Sequence, residues 1–187
     1  MMATKKLNQD GIFQNNAAYF KHYQGTILPS ENIKYFDFSD LNIAVIGMNQ
    51  MVATHLDLIC QKAQFVKVFQ MSPHFVLPHT ERGINRLISH PLIIKNRRLF
   101  NQRVKSLLAI RYLDSQVQDN WLKRQLMPNS AADKKVFFKS DTYYTALQRD
   151  NCKLITWPIV KINQNAIQSM EGVEHIVDVI ISTYDQD

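Results

Sequence analysis

Apolar and polar residues follow one another in a pattern that predicts a strand, a helix and a second strand in direct succession. Residues 43–46 (IAVI) form an unbroken apolar run, as strands buried on both faces do. Residues 65–69 (FVKVF) predict the second strand. Between them, residues 50–63 carry apolar side chains spaced to cover one helix face: Met51, Val52, Leu56, Ile59 and Ala63. Short connections between the three elements predict a right-handed βαβ unit within a parallel sheet.

A long helical insert is predicted after the second strand. Residues 71–73 end that strand, because their proline lacks the amide hydrogen that a sheet ladder needs. Residues 84–127 then show helical spacing, and Pro128 ends the run. The predicted apolar stripe consists of Leu99, Phe100, Val104, Leu107 and Leu108. The remaining surface of the insert is basic, with Arg97, Arg98, Arg103, Lys105 and Arg111.

The last part of the chain is predicted to consist mainly of strands. Asp141 is the expected N-cap of a short helix over residues 142–148. Residues 177–181 (VDVII) are rich in β-branched side chains and predict a buried parallel strand beside the first one. Shorter strands are predicted at residues 154–157, 159–162 and 166–168.

These elements predict one α/β domain preceded by a polar arm. Residues 1–22 are the predicted arm, and residues 23–187 are the domain, whose first part over 23–40 is expected to be a connecting loop. The predicted fold is Rossmann-like, with three layers around a parallel sheet, the helical insert, and a small β element near the C-terminus. At 187 residues, the chain is long enough to bury a substantial core.

Composition narrows the function classes without choosing one. Hydrophobic residues make up 45% of the chain and charged residues 20%, which indicates a globular protein. The net charge of +6 would allow residues 95–111 to contact nucleic acid or an anionic membrane surface. We favour the alternative that these residues are the solvated side of an amphipathic helix, because no aromatic stacking platform or DNA-reading motif accompanies them.

Neither a targeting segment nor a metal site is indicated by the sequence. The first residues lack the apolar stretch of a secretory signal, and no apolar run is long enough to span a bilayer, so we expect a cytoplasmic protein. Cys60 and Cys152 form no CxxC pair and are expected to be reduced, structural thiols. The six histidines show no metal-ligand spacing, and His74 and His79 flank an expected loop over residues 75–78.

The connection between the first strand and the helix is the place where a dinucleotide would bind in such a fold. A pyrophosphate-binding loop uses three glycines, for the turn, for close approach of the main chain and for helix packing. Here Gly47 keeps the first position, while Asn49 and Val52 occupy the other two. One interpretation is a pyrophosphate cradle at the helix N-terminus. The interpretation that we favour is a turn in which Asn49 caps the helix and fills the cradle.

Several separate segments, in the same order along the chain, resemble the NADP-binding domain of flavin-dependent monooxygenases of the Baeyer–Villiger type. They are residues 43–47, 68–73, 127–128, 134–136, 140–147, 151–159 and 172–181. The resemblance extends over residues 23–183 and implies the Rossmann-like architecture. It also implies descent from a domain that binds NADP and is inserted into a flavin-binding domain.

The resemblance implies which residues would contact the cofactor. These are Gly47, Met48, Asn49, Gln50, Gln70, Met71, Lys134, Lys135 and Thr183. For the two lysines we favour the alternative of a charge pair that is merely solvated. Met71 stands where the family usually has an arginine for the 2′-phosphate of NADP, and a methionine cannot make that charge-assisted contact. Gln70 is neutral where NAD selectivity would need an acidic residue. Tyr184 replaces a glycine that would let the main chain approach a cofactor.

A second motif of the family, an aromatic-x-Gly-x-x-x-His-x-x-x-Trp signature before the loop, is only half present. Its aromatic residue and glycine are matched by Tyr23 and Gly25. Its histidine and tryptophan are replaced by Pro29 and Ile33. The match therefore supports architecture more than activity. A further matched pair of aromatic residues, at 143–144, is expected to pack in the core with one polar tip in solvent.

From these departures we expect a stand-alone, degenerate relative of the NADP-binding domain that lacks redox activity and acts by protein binding or regulation. No cofactor is expected to be needed, although NADP is left open, and FAD is not expected because no second G-x-G-x-x-G is present. The expected partner is another copy of the chain or a different protein, covering the face that packs on the flavin domain in the family. The alternative is the NADP-binding component of a split FAD-dependent monooxygenase.

Overall fold

The computed structural model of the chain describes residues 20–79, 102–131 and 134–183. The strands are β1 (Thr26–Pro29), β2 (Asn42–Ile46), β3 (Phe65–Phe69), β4 (Phe75–Leu77), β5 (Phe137–Lys139), β6 (Cys152–Ile155), β7 (Ile159–Ile162), β8 (Ala166–Ser169), β9 (Glu174–Ile176) and β10 (Val179–Ser182). The helices are α1 (Gln50–Lys62), α2 (Gln102–Gln116), α3 (Asn120–Leu126) and α4 (Tyr143–Leu147), with a 3₁₀ helix at Ser30–Tyr35. Most of the predicted arm, the first part of the predicted insert with Arg97, Arg98, Leu99 and Phe100, and Tyr184 lie outside the described residues.

Five parallel strands form the central sheet, in the order β1-β10-β2-β3-β6. The predicted βαβ unit is confirmed, because β2 and β3 pair in parallel and α1 connects them. The predicted C-terminal strand is also confirmed, since β10 pairs in parallel with β2 and places Val179 opposite Ile43. It begins at Val179 instead of residue 177. The carboxyl ends of all five strands meet at one edge of the sheet, where ligands bind in open α/β folds.

Two apolar cores cover the two faces of this sheet. Alternate residues of β2 point to opposite faces, so Val45 belongs to one core and Ala44 to the other. On the first face α1 buries Val52, Leu56 and Ile59, which confirms most of the predicted helix stripe. On the second face lies an antiparallel sheet of β7, β8 and β9. The result is the predicted α/β architecture with a small β element near the C-terminus.

The segment at residues 23–40 is more ordered than the expected connecting loop. It contains β1, which pairs in parallel with β10 at the edge of the sheet, and the 3₁₀ helix that follows. Pro29 ends β1, a position where a proline is tolerated because its missing amide hydrogen is not needed by the ladder. Ile33 of the 3₁₀ helix lies in the core.

Residues 75–77 form a strand where a loop was expected. β4 pairs in parallel with β5, and the rings of Phe75 and Phe137 stack with centroids 5.0 Å apart. Prolines at positions 73 and 78 limit the run to three apolar residues, which is too short for a two-residue period to be recognised. The strand predicted at residues 154–157 is observed as β6 over Cys152–Ile155, so it begins two residues earlier than predicted and ends before Trp157.

Two local predictions about helices are wrong. Asp141 does not cap α4, because the hydroxyl of Ser140 accepts the hydrogen bond from the N–H of Tyr143 at 3.0 Å. The carboxylate of Asp141 instead accepts a hydrogen bond from the N–H of His79 at 2.8 Å. In α2, Leu107 is exposed, and the buried positions are Ser106, Ala109 and Leu113. Ala109 and the half-buried Leu108 pack beside Phe75 and Leu77 of β4, so the predicted stripe is confirmed at Leu108 and wrong at Leu107.

None of the helices in the described ranges is long and apolar enough to cross a bilayer. Within the same ranges, no group of three or more histidine, cysteine, aspartate or glutamate side chains could hold a metal ion. Cys60 and Cys152 are free and buried. A hydrogen bond to Cys60, together with burial, raises the pKa of the Cys152 thiol above its usual range.

Candidate dinucleotide-binding site

The loop between β2 and α1 keeps the turn that a dinucleotide-binding loop requires. Gly47 has a φ of 84°. In this left-handed region the Cβ of any other residue would clash with its own main chain, so glycine is favoured. Its N–H donates to the carbonyl of Phe69 at the end of β3, 3.1 Å away. The first glycine of the fingerprint is therefore present for the reason that the sequence predicted.

Asn49 occupies the second glycine position and uses both ends of its side-chain amide. Its Oδ1 accepts a hydrogen bond from the N–H of Val52 at 3.0 Å, which confirms the predicted cap of α1. Its Nδ2 donates to the hydroxyl of Ser30, 2.7 Å away. Ser30 is only 1% exposed, so the amide is fixed between the first turn of the helix and the core. One of the helix N–H groups that could bind an anion is thus already bonded within the chain.

The two residues on either side of Asn49 are also held by contacts within the protein. Met48 is buried in the core that includes α1. Gln50 reaches the main chain of Lys139 in β5 with both ends of its side chain: Nε2 donates to the carbonyl at 2.7 Å, and Oε1 accepts from the N–H at 3.0 Å. Gln50 therefore joins the start of α1 to the β4–β5 pair, a contact across 89 residues that the sequence did not predict.

At the end of β3, Gln70 is held by a buried tyrosine. The hydroxyl of Tyr143 donates to Oε1 of Gln70 at 2.6 Å, and Nε2 of Gln70 donates to the carbonyl of Ser72 at 3.2 Å. Burial raises the pKa of Tyr143 well above its usual value, so the hydroxyl remains a donor. Tyr143 and Tyr144 are both buried, so the expectation that one polar tip reaches solvent is wrong. The sequence missed the Gln70 contact because 73 residues separate its partners.

Three of the four predicted regions meet at the carboxyl edge of the sheet. Thr183 follows β10, and both its N–H and its hydroxyl donate to the carbonyl of Ile46 at 3.2 Å, directly before the loop. Met71 follows Gln70 and is half-buried. Its side chain is uncharged, at the position that would bind the 2′-phosphate of NADP. Gly47 to Gln50, Gln70 with Met71, and Thr183 thus end three adjacent strands.

The two lysines that the resemblance implied lie in the segment before β5. Lys134 is exposed. Lys135 has its Nζ 6.0 Å from the ring centroid of Phe75, so it lies against the β4–β5 pair.

Tyr23 and Gly25, the surviving half of the signature, form a tight contact beside β1. The hydroxyl of Tyr23 donates to the carbonyl of Val177 at 3.0 Å, and its ring passes directly over Gly25. Burial, with a smaller effect of Asp178, raises the pKa of Tyr23 to about 12. The signature's retained half therefore has a packing role at the β1 edge.

No family model matches the chain. Two curated relatives are a Baeyer-Villiger monooxygenase of Pseudomonas aeruginosa, 27% identical over 184 residues, and the FAD-binding monooxygenase ktnD of Aspergillus niger, 25% identical over 187 residues. Each alignment includes 86% of this chain but only 35% and 31% of the respective relative.

The solved structures show the same fold. A steroid monooxygenase bound to NADP superposes with a TM-score of 0.70 at 17% identity, over 95% of this chain and 45% of that one. An open structure of cyclohexanone monooxygenase superposes with a TM-score of 0.67 at 14% identity, over 99% of this chain and 47% of that one. By sequence and by fold, the chain is therefore related to a domain of the Baeyer–Villiger monooxygenases and spans about a third of the length of its curated relatives.

Proposed function

We propose that this chain is a Rossmann-type domain that no longer binds NADP, and that it acts by binding a protein. The observation that carries the proposal is the position of Asn49. Its side chain stands at the second glycine position of the loop and bonds both the helix N-terminus and Ser30. The main chain at this position needs to be bare for a pyrophosphate to approach.

The hydrogen-bond arrangement explains why a ligand would not simply displace the asparagine. A phosphate would have to break the bond from Val52 to Asn49 and the bond from Asn49 to Ser30, whose hydroxyl is buried. A buried polar group left without a partner costs about 1–3 kcal/mol. That cost would reduce the affinity of the loop for a pyrophosphate by about fivefold to a hundredfold, since 1.4 kcal/mol corresponds to a factor of ten.

The strand next to the loop supports the same proposal. The Oε1 of Gln70 accepts from the buried hydroxyl of Tyr143, and its Nε2 donates to a nearby carbonyl, so both ends of its side chain are bonded within the protein. Met71 provides no positive charge for a 2′-phosphate. The five glycines of the chain lie at positions 11, 25, 47, 83 and 172, so a second G-x-G-x-x-G, as a flavin-binding loop would have, is not formed.

The proposed partner is either a second copy of this chain or a separate protein that covers the face equivalent to the one packed on a flavin domain in larger relatives. A surface that evolved to be covered carries apolar side chains that water solvates poorly. Size-exclusion chromatography with light scattering tests the homo-oligomer directly. A monomer at every concentration would leave a different protein as the proposed partner.

A second candidate function is a domain that still binds NADP and works with a flavin-binding partner. The observation that favours it is the retained turn at Gly47, with a φ of 84° and Thr183 beside it. The helix N-terminus also keeps the first-turn amides before Val52, which attract anions.

Isothermal titration with NADPH and with NADH separates the two candidates. We expect no heat of binding from the natural chain, and measurable binding of NADPH by the Asn49→Gly variant, in which the cradle is bare. Asn129→Gly is the matched control, because the side chain of Asn129 accepts a hydrogen bond from the N–H of Ala131 at 3.0 Å, within a turn that is not part of the loop. Micromolar binding of NADPH by the natural chain would contradict the proposed loss and favour the second candidate.

A further inference from the structure

We infer that the edge of the central sheet at β6, which no strand of the described residues covers, is a docking site for an extended basic segment of another protein, which would add to the sheet as a sixth strand. The inference deepens the proposed protein-binding function by naming a surface and the chemistry of its partner. β6 contributes no residue to the candidate dinucleotide site, although it pairs with β3, whose end carries Gln70.

Among the described strands, β6 pairs with β3 alone. The carbonyls of Asn151 and Ile155 accept hydrogen bonds from the N–H groups of Val66 and Gln70, at 2.7 and 3.0 Å. In a parallel pair, alternate residues direct their polar main-chain groups to the same neighbour. Leu154 therefore directs its N–H and carbonyl away from β3. Within the described ranges, no strand pairs with that side of β6.

A groove of about 400 Å³ runs beside this edge. One wall comes from the α3 region and the other from the segment after β6 and the turn after β8. Its lining includes Asp119, Trp121, Leu154, Thr156, Trp157 and Glu171. The chain has two tryptophans, and both line this groove. Trp121 is 68% exposed and Trp157 51% exposed, so two large aromatic side chains are available to a partner at the same place.

The two walls match the two faces of an added strand. Leu154 belongs to the core on the α1 side of the sheet, whereas Ile155 belongs to the core on the β7–β9 side. Successive side chains of an extended segment also point to opposite faces. One residue of an added strand would therefore face Trp121, and the next would face Trp157. Main-chain bonds to Leu154 would supply affinity, and the two walls would supply specificity, as in other cases of strand addition.

The charges of the groove select a basic segment. Asp119 and Glu171 are acidic and Lys153 is basic, so the groove has a net charge of −1 on a chain whose net charge is +6. Asp119 lies two residues before Trp121 and accepts a hydrogen bond from its N–H at 2.8 Å. An arginine side chain can stack on an indole and pair with a carboxylate at the same time. An acidic segment would meet the two carboxylates at close range.

Tryptophan fluorescence tests the inference directly, because both indoles of the chain lie in the groove. The probe is the capped peptide acetyl-Thr-Val-Arg-Arg-Val-Thr-amide, in which adjacent arginines point to opposite faces. We expect a saturable change in emission that is lost when both arginines of the peptide are replaced by glutamate. Two further peptides carry an N-methyl group on one arginine or the other. We expect only one of them to lose binding, because only one of the two amides faces the edge of β6.

Variants of the groove provide the matching evidence. Asp119→Asn keeps an oxygen to cap α3 but removes the charge, and Glu171→Gln removes the second charge. We expect each to weaken peptide binding about threefold, and both together about tenfold, as for partly exposed ion pairs. Glu31→Gln, in the 3₁₀ helix before β2, is the control and should leave binding unchanged. Thermal unfolding confirms that each variant is folded.

Three results would overturn the inference. They are an unchanged emission at millimolar peptide, equal binding of the glutamate peptide, and equal binding of both N-methylated peptides. If arginine amide alone bound as tightly as the peptide, the site would be a small-cation site and not a strand-docking site. If the free chain formed a dimer that buried the tryptophans, the occupant would be a second copy of the chain. Neither the success nor the failure of NADPH binding affects these outcomes.

Discussion

Gly25 lies where a single added carbon atom would overlap both a side chain and the main chain. A Cβ there would lie 2.3 Å from the hydroxyl oxygen of Tyr23 and 2.6 Å from the carbonyl oxygen of Asp178. The tyrosine cannot easily move away, because its hydroxyl is bonded to Val177 and its ring is buried.

We therefore predict that Gly25→Ala lowers the free energy of unfolding by about 2 kcal/mol, as overpacked positions do. Gly172→Ala is the informative comparison. Gly172 has a φ of 83° but open space around it, so that variant tests backbone strain alone, which costs about 1 kcal/mol. Urea unfolding of both variants measures the difference. A smaller effect at Gly25 than at Gly172 would show that Tyr23 yields to the added methyl group.

Tyr143 and Gln70 form a second residue-scale contact with a measurable contribution to stability. Removing the hydroxyl in Tyr143→Phe leaves the buried Oε1 of Gln70 without its 2.6 Å donor. We predict a loss of about 1–3 kcal/mol in the free energy of unfolding, the cost of an unsatisfied buried polar atom. Tyr35→Phe is the control, because Tyr35 is 87% exposed and should show almost no change. Equal stability of the Tyr143→Phe variant would mean that water replaces the hydroxyl.

The same contacts show why the candidate site was only partly predictable. The bond from Val52 to Asn49 spans three residues, so the local preference of asparagine for helix N-caps was enough to predict it. The hydrogen bonds that join the site to other elements connect residues far apart in the sequence. Asn49 and Ser30 are separated by 19 residues, and Gln70 and Tyr143 by 73. Their geometry depends on how elements pack, and a single sequence carries no periodic signal for that.

At the scale of elements, prediction succeeded where the apolar run was long. β2, α1, β3 and β10 have four or more residues with a clear pattern, and all were predicted. β4 was missed because its three residues lie between two prolines. β1 was missed because it is short, with a glycine directly before it and a proline as its last residue. The face of α2 was predicted only in part, because Leu108 packs beside β4 as expected, whereas Leu107 is exposed and Ser106 and Ala109 are buried.

The β7–β9 element contains a histidine that should make its packing depend on pH. His175 is buried, its ring meets the edge of Phe69 with centroids 5.5 Å apart, and its Nε2 lies 3.4 Å from the hydroxyl of Ser169. Burial lowers the pKa of His175, and so do the nearby ammonium groups of Lys67 and Lys153, while Glu171 acts in the opposite direction.

A histidine with a lowered pKa in the folded state binds protons more readily when the chain is unfolded. The free energy of unfolding should therefore fall as pH decreases below about 6.5, the pKa of an unfolded histidine, until the folded pKa is passed. We predict that His175→Gln removes part of this fall between about pH 7 and pH 5. His22→Gln, at an exposed position, serves as the comparison in the same denaturation series. Parallel pH profiles for the natural chain and the His175 variant would contradict the prediction.

At the scale of the whole molecule, the chain combines a strongly supported sheet with a weakly attached one. β2 and β10 each have a paired strand on both sides, and their residues are buried on both faces. β4 and β5 form a separate sheet of two strands, and such a pair is only marginally stable without other support. That support comes from α2, from the stack of Phe75 on Phe137, and from Gln50 at the start of α1.

This difference predicts two levels of protection in native-state hydrogen exchange. The amides of Val45 and Ile180 should exchange only through global unfolding, with a strong dependence on denaturant, whereas the amide of Val76 should exchange through a smaller, local opening. Gln50→Ala should accelerate exchange in β4 and β5 without changing it in β2, because it removes two bonds to Lys139. Gln61→Ala, which removes an exposed bond on the same helix, should change neither. Equal free energies of exchange for Val45 and Val76 would show instead that both sheets unfold together, and that the loop after β2 is anchored as firmly to β5 as to β3.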